Sequence, residues 1–463
     1  MSEQAKFLEG SLFKHITVMS LTASIGLMAV FVVDFVDMIF ISMLGKAELA
    51  AAVGYAGAIL FFTTSFAIGM AITTGALVAQ ALGAGDEELA RRRATNTLIF
   101  GVIFGVIFAA LVWMNLRPLS QLMGASDETL ELSVNYLSII VPTLPLLVVG
   151  VIGGAILRAH GDARRAMMAT VWGGAVNAVL DPILIFGLDL ELTGAALASV
   201  AARLAIAGFG IWPVIKYYGG FGRPKLPEVM IDAKPIVAIA APAILTQLAT
   251  PIGQAYVTRS MAEFGEAAVA GMAITARMTP VAFGVIFALS GAVGPIIGQN
   301  HGAGKEDRVR QAFREALLFT AIVVVVISVS LFLLRDPIAT LFEAEGVAKD
   351  IVFLFCGPLA LAFFFNGVIF VGNAAFNNLG HPFYSTWVNW GRHTLGTIPF
   401  VIVGASLYGA MGVLIGQAVG GIIFALITLL LVRRVFAKEG APKPEAAPFR
   451  RQARLMQLMH HRR

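Results

Sequence analysis

Three carboxylates stand away from the ends of the apolar runs of this chain, Asp34, Asp37 and Asp181, whereas no acid at all occurs between Asp350 and Glu439. A carboxylate in mid-bilayer costs about 2.5–3.5 kcal/mol on insertion scales, so such residues usually face a cavity and serve ion or proton traffic. The plainer alternative is a carboxylate near the interface, hydrated or paired with arginine. Asn177 and Asp181 are four residues apart and share one helical face. Pro182 follows at once; its ring removes the backbone bond to residue 178, loosens the turn and can free a carbonyl oxygen beside the carboxylate. Oxygen ligands of this kind suit a hard cation such as Na+. The same cluster can instead hold a proton, since burial and a neighbouring acid both favour the neutral form of a carboxyl group. For Asp37 the rise of a helix gives a depth of about 10 Å below the outer surface.

The elements that must position these residues follow from composition. Of 463 residues, 58% are hydrophobic and only 13% charged, about half the roughly 25% charge of soluble domains. Mean hydropathy is +0.83. A water-soluble globule, a disordered chain and, with Cys356 as the single cysteine, an internal disulfide scaffold are excluded. Runs of about 20 apolar residues, the length that crosses a bilayer as helix, occur at 15–44, 49–82, 94–115, 132–157, 166–188 and 193–218, then at 235–262, 267–298, 312–334, 350–378, 383–404 and 408–432. These are spans 1 to 12. Counting Lys216, Arg259 and Arg314 at span ends with the adjoining loops, lysine and arginine number 25 in the N-tail, even loops and C-tail, 5 in the odd loops and 3 deep inside spans (Arg203, Arg277, Arg392), the full 33. Both termini are therefore predicted on the cytoplasmic side of a bacterial inner membrane. The basic excess reports orientation and gives no reason to invoke nucleic acid. Residues 437–463 read as a basic cytoplasmic tail, either unstructured or resting on anionic lipid.

A shift of 219 residues superimposes the two halves. Gly75–Arg91 falls on Gly294–Arg310, matching Gln80 with Gln299 and Gly83-Ala84-Gly85 with Gly302-Ala303-Gly304, and Gly161 falls on Gly380. Because six spans separate the copies, both halves enter the membrane in the same direction, related by a pseudo-two-fold along its normal. The expected architecture is all-α: twelve transmembrane helices in two six-helix lobes, with an N-lobe at 1–218, a cytoplasmic linker at 219–234 and a C-lobe at 235–436. No Gly-Lys-Ser/Thr or preceding strand supports a nucleotide loop at Gly83–Gly85. The histidines lack metal-ligand spacing and no catalytic triad is present. Neither an enzyme nor a cofactor is expected.

Five motifs in order, Phe35-Val-Asp37 through Gly45, Leu157-Arg158-Ala-His-Gly161-Asp162, Asn177-Ala-Val-Leu-Asp181-Pro182, Gly194 through Ser199, and Gly298-Gln299-Asn-His-Gly302-Ala-Gly304, resemble the multidrug and toxic compound extrusion (MATE) family. The likeness extends to about Phe436. It implies a monomeric antiporter that expels cationic or amphipathic compounds in exchange for inward H+ or Na+ by alternating access. It carries a coupling role to Asp37, Asn177 and Asp181, a hydroxyl-ligand role to Ser199 and, more weakly, a hydrogen-bonding role to Tyr136. Asp34 and Arg203 are further cavity candidates, Arg203 being four residues after Ser199 and near enough for a carboxylate partner. With no acid on spans 7, 10 or 11, the chain looks like the DinF-type branch, which couples through the first lobe. The proline often found early in span 1 is missing, since Met19-Ser-Leu-Thr22 stands there, while Pro242 remains in span 7. Alternatives are a lipid-linked oligosaccharide flippase of the same superfamily and, from another class, a channel or membrane enzyme.

Overall fold

The computed structural model describes residues 5–439, so the tail beyond Glu439 lies outside the described residues. The chain is helical throughout its membrane part: Leu12–Met43, Glu48–Gly83, Glu87–Met114, Asp127–Ala159, Ala163–Gly187 and Glu191–Tyr217 form spans 1 to 6. Leu226–Ala262, Glu266–Gly302, Glu306–Leu341 and Gly346–Asn378 form spans 7 to 10.

The last apolar run, Pro382–Ala437, is 56 residues long, and it contains the final two spans. Gly409 adopts φ 58° and ψ −139°, a conformation available to glycine and strained for other residues. The chain reverses there. Glycines keep the two arms close: a Cβ at Gly412 would strike the carbonyl of Gly404, one at Gly416 that of Phe400, and one at Gly420 that of Gly396. These pairings step outward by four residues on either side of Tyr408, as an antiparallel helical hairpin requires, so twelve crossings are present.

The linker differs from its sequence expectation. Residues 226–234 are helical and continuous with span 7, because they have something to dock on. Asp232 is buried, and accepts from Arg92 Nε at 3.1 Å, Arg92 Nη2 at 3.2 Å and Asn96 Nδ2 at 2.7 Å on span 3. A buried carboxylate with three donors to the other lobe fixes the start of span 7. Only the segment around Gly219 (φ 75°) and Gly220 (φ 66°) remains as a turn.

The sequence repeat becomes physical at one end of the bundle. Gln80 Nε2 of span 2 donates to the carbonyl of Asn378 at the end of span 10, at 2.8 Å. Its repeat mate Gln299 of span 8 donates to the carbonyl of Ala159 at the end of span 4, at 2.7 Å. The partners of the two glutamines are themselves repeat mates, so one contact is the pseudo-two-fold image of the other. Gly83 and Gly302 make the crossing possible, since a Cβ on either would collide with the backbone of Gln299 or Gln80. Phe7 seals the same floor: its N–H donates to Gln299 Oε1 at 2.9 Å and its carbonyl accepts from Asn300 and Arg308. The two lobes are thus joined at the end of the bundle where Phe7 lies. Nearer mid-membrane, Gly69 meets Ile244, and Gly284 meets Met28.

The hairpin reading is testable by thermal unfolding in detergent. Gly420→Val is expected to destabilise by about 1–3 kcal/mol or more through overpacking. Gly421→Val, where a Cβ meets nothing within 4 Å, should unfold close to wild type. Equal melting of the two variants would contradict the hairpin.

Candidate functional site

Span 1 lies against span 5 because small residues let the helices approach. A Cβ at Gly26 would contact Met167, and one at Gly174 would press on Val33. This approach sets Asp37 of span 1 against Asp181 of span 5, their carboxylates close enough to share a hydrogen bond. Asn177 and Asp181 share the inward face as their spacing requires, and both are buried, Asp181 completely. Beyond Pro182 the helix widens into a π-turn over Ile183–Gly187, with Leu188 N bonded to the Ile183 carbonyl at 2.9 Å. The loosening anticipated from Pro182 is therefore present, one turn outward of the carboxylate.

The remaining candidates surround this pair. The Tyr136 side chain on span 4 faces Ser199 on span 6, and it lies within electrostatic reach of Asp37, Asp181 and Arg203. Asp34 is exposed and within reach of Asp37. All seven sequence-derived residues therefore gather inside the first lobe, on spans 1, 4, 5 and 6. Arg203 has a different partner from the carboxylate considered from its spacing. Its Nη1 donates to the Ile140 carbonyl and to Thr143 Oγ1, both at 2.9 Å. Pro142 and Pro145 interrupt span 4, and a 3-10 segment at Val141–Thr143 leaves that carbonyl outside the α-helical ladder. Arg203 and the Thr143 hydroxyl satisfy it. Arg203 thus braces the bend that holds Tyr136 over the acids. Trp113 does the same for the Ser138 carbonyl that Pro142 cannot bond.

The charge balance of the pair is what matters chemically. Asp37 Oδ1, both carboxylate oxygens of Asp181 and Asn177 Nδ2 are buried without a hydrogen-bond partner among the described residues. Two ionised carboxylates facing each other at low dielectric repel strongly, and buried acceptors without donors cost free energy. One proton shared between the oxygens, or one Na+ held by them, removes both penalties. Asp34, Asn177 and Asp181 were legible from scarcity and spacing. The bracing of the span 4 bend by Arg203 carried no sequence signal beyond Pro142 and Pro145.

At the other end of span 5 from the acid pair, Asp162 caps the helix. Burial alone would raise its carboxyl, but the Tyr218 hydroxyl at 2.8 Å, the Arg165 guanidinium and the Arg165 N–H at 3.1 Å more than offset this and hold it below the ordinary carboxylate value. Stability from this cap is therefore present above the ordinary carboxylate range and is lost as pH falls through the depressed value.

The pair itself makes a stability prediction. At pH 9 without Na+, Asp181→Asn is expected to melt higher than wild type, because an amide can donate to Asp37 where a second carboxylate can only repel. Adding Na+ or lowering the pH toward 6 should stabilise wild type and leave the variant nearly unchanged. A variant that melts lower at pH 9, or responds as wild type does, would show that the two acids do not share a cation.

The family model described as MatE matches residues 23–183 and 242–400, once in each half and over well more than half of the chain. The chain is similar to the FAD transporter of Shewanella oneidensis, 27% identical over 423 residues that cover 90% of this chain and 93% of that one. It is also similar to the multidrug export protein MepA of Staphylococcus aureus, 23% identical over 439 residues covering 93% and 96%. Among solved structures, an outward-facing multidrug resistance MATE family transporter superposes with a TM-score of 0.87 at 24% identity, covering 95% of this chain and 99% of that one. A duplicated all-helical membrane chain with acids gathered in one lobe, matched in both halves by that model, belongs to the MatE family of membrane transporters, which are not enzymes.

Proposed function

We propose that this protein is a secondary antiporter of the inner membrane, acting as a monomer, that exports cationic or amphipathic organic compounds in exchange for inward H+ or Na+. The observation that carries this reading is the facing, donor-free carboxylate pair of Asp37 and Asp181. The inward cation is held there, with Asn177 and Ser199 as further oxygen ligands and Tyr136 and Asp34 at the rim. Coupling through the first lobe alone, as in the DinF-type branch, agrees with the lack of acids between Asp350 and Glu439. The lobes joined at the cytoplasmic side support an outward-open state, in which the cation arrives from outside. Its binding lowers affinity for the organic compound, and by linkage the compound lowers affinity for the cation by the same factor. Substrate leaves, the lobes rock and the cation is released inside. The relatives' names span a flavin dinucleotide and multiple drugs, which supports amphipathic aromatic compounds as the cargo.

The test is efflux from proteoliposomes under an imposed H+ or Na+ gradient. Asp37→Asn and Asp181→Asn are each expected to reduce gradient-driven transport at least about tenfold, a change of about 1.4 kcal/mol. Asp34→Asn, at the exposed rim, should change it by about twofold or less. Wild-type rates in well-expressed Asp37→Asn and Asp181→Asn would overturn the site, and transport indifferent to both gradients would overturn the coupling.

A further inference from the structure

We infer that spans 5 and 6, at the end of the bundle where Phe7 lies and which is predicted to be cytoplasmic, form a docking site for an anionic phospholipid. Arg165 and Lys216 meet its headgroup, and Trp172, Phe209 and Trp212 line its upper acyl chains. Both spans pack on helices of the first lobe, so their exposed faces look toward lipid.

Two matching stripes build the surface. On span 5, Arg165, Met168 and Trp172 stand at i, i+3 and i+7; on the antiparallel span 6, Phe209, Trp212 and Lys216 repeat that spacing with the cation last. Cations therefore meet at the end of the pair and rings meet deeper in. Trp172 stacks on Phe209 across the two helices, with centroids 5.8 Å and planes 19° apart. The rings are 45% and 43% exposed, a stacked pair that the protein leaves half uncovered. Nine residues from the start of span 5, Trp172 lies about 13 Å along the helix. Gly208, beside Phe209, is exposed, and a Cβ there would meet nothing within 4 Å, which leaves a notch in the surface.

At the charged end, the guanidinium carbon of Arg165 sits 3.9 Å from the centroid of the Tyr217 ring. Lys216 Nζ is 5.4 Å from the same centroid and 4.5 Å from that of Trp212. Two cations thus share one ring, and Trp212, Lys216 and Tyr217 are all exposed. Arg164, next in the chain, is exposed as well. Asp162, the carboxylate paired with Arg165, also accepts from the Tyr218 hydroxyl. Among the described residues, Lys216 and Arg164 pair with no carboxylate. The surface keeps a net positive charge, which an anionic headgroup balances and a zwitterionic one does not. A free phosphate would meet the cations and leave the rings uncovered; a phospholipid covers both, as interfacial aromatic side chains favour.

The duplication does not account for this patch. The shift of 219 residues that sets Gly161 on Gly380 sets Arg164, Arg165 and Trp172 on Phe383, Tyr384 and Gly391. Simple anchoring at the interface would serve both lobes alike, whereas this arrangement on span 5 has no counterpart on span 11.

Native mass spectrometry of the purified full chain, titrated with phosphatidylglycerol or with phosphatidylcholine of the same chains, tests the site without any transport measurement. Wild type is expected to bind one phosphatidylglycerol at least about tenfold more tightly than phosphatidylcholine, and inorganic phosphate should not displace it. Lys216→Gln, at an exposed residue outside any ion pair, and Arg165→Gln should each cut that preference severalfold. Trp172→Ala should weaken both lipids alike, and Arg433→Gln/Arg434→Gln, at the end of span 12, should keep the wild-type preference. Equal binding of the two lipids by wild type, or displacement by inorganic phosphate, would overturn the site whether or not the variants fold. So would a preference that survives in Arg165→Gln/Lys216→Gln or is lost in Arg433→Gln/Arg434→Gln. A failure of gradient-driven transport would count against the antiport reading and leave this binding result standing.

Discussion

Repulsion between two carboxylates is the constraint on which the working parts of this transporter depend. At a separation near 4 Å and an effective dielectric of about 20, two like charges oppose each other by about 4 kcal/mol. The protein nevertheless builds the contact deliberately. Gly26 and Gly174 let span 1 lie close on span 5, Pro182 ends the regular helix just beyond Asp181, and Arg203 fixes the bent span 4 above them. An interaction that is unfavourable alone and favourable with a cation is a means of making helix packing depend on ion occupancy.

That dependence acts on a scaffold with one end already fastened. The crossed glutamines of spans 2 and 8, the Asp232 anchor and the Phe7 plug join the lobes at one end of the bundle, the predicted cytoplasmic one. Inward opening has to exchange these hydrogen bonds for others. Each is modest, about 0.5–1.5 kcal/mol net, so a set of them is comparable with the several kcal/mol that the carboxylate pair can supply. In the proposed cycle this near balance of the two ends lets the lobes rock, since a floor much stronger than the proposed cation site would never open.

Much of this was legible in the sequence, for physical reasons. Asp37 and Asp181 stood out because a chain with 13% charge has few residues to weigh. Gln80 and Gln299 were marked by the repeat, although only the structure showed that their acceptors, Asn378 and Ala159, are repeat mates as well. Twelve crossings were expected, and Gly409 explains how two of them share one unbroken apolar run. What the residues did not disclose was direction. Arg158 reads as a loop cation by position, and in the structure its guanidinium folds back beside Gly154 and Gly291 of span 8. Arg203 reads as a partner for an acid, and the carbonyl it serves is freed by prolines sixty residues away. Residues 226–234 read as linker because their polar side chains fit water, and became helix because Asp232 found donors on span 3.

The central claim is that the Asp37–Asp181 pair exchanges its cation for the organic substrate. Cation release on substrate binding measures this most directly. A pH indicator in weak buffer, and radioactive sodium in a parallel sample, would follow the purified chain as riboflavin 5′-phosphate or ethidium is added. About one H+ or one Na+ released per bound molecule in wild type, and none in Asp37→Asn, is the expected result. Binding that saturates without release of either ion would contradict the account.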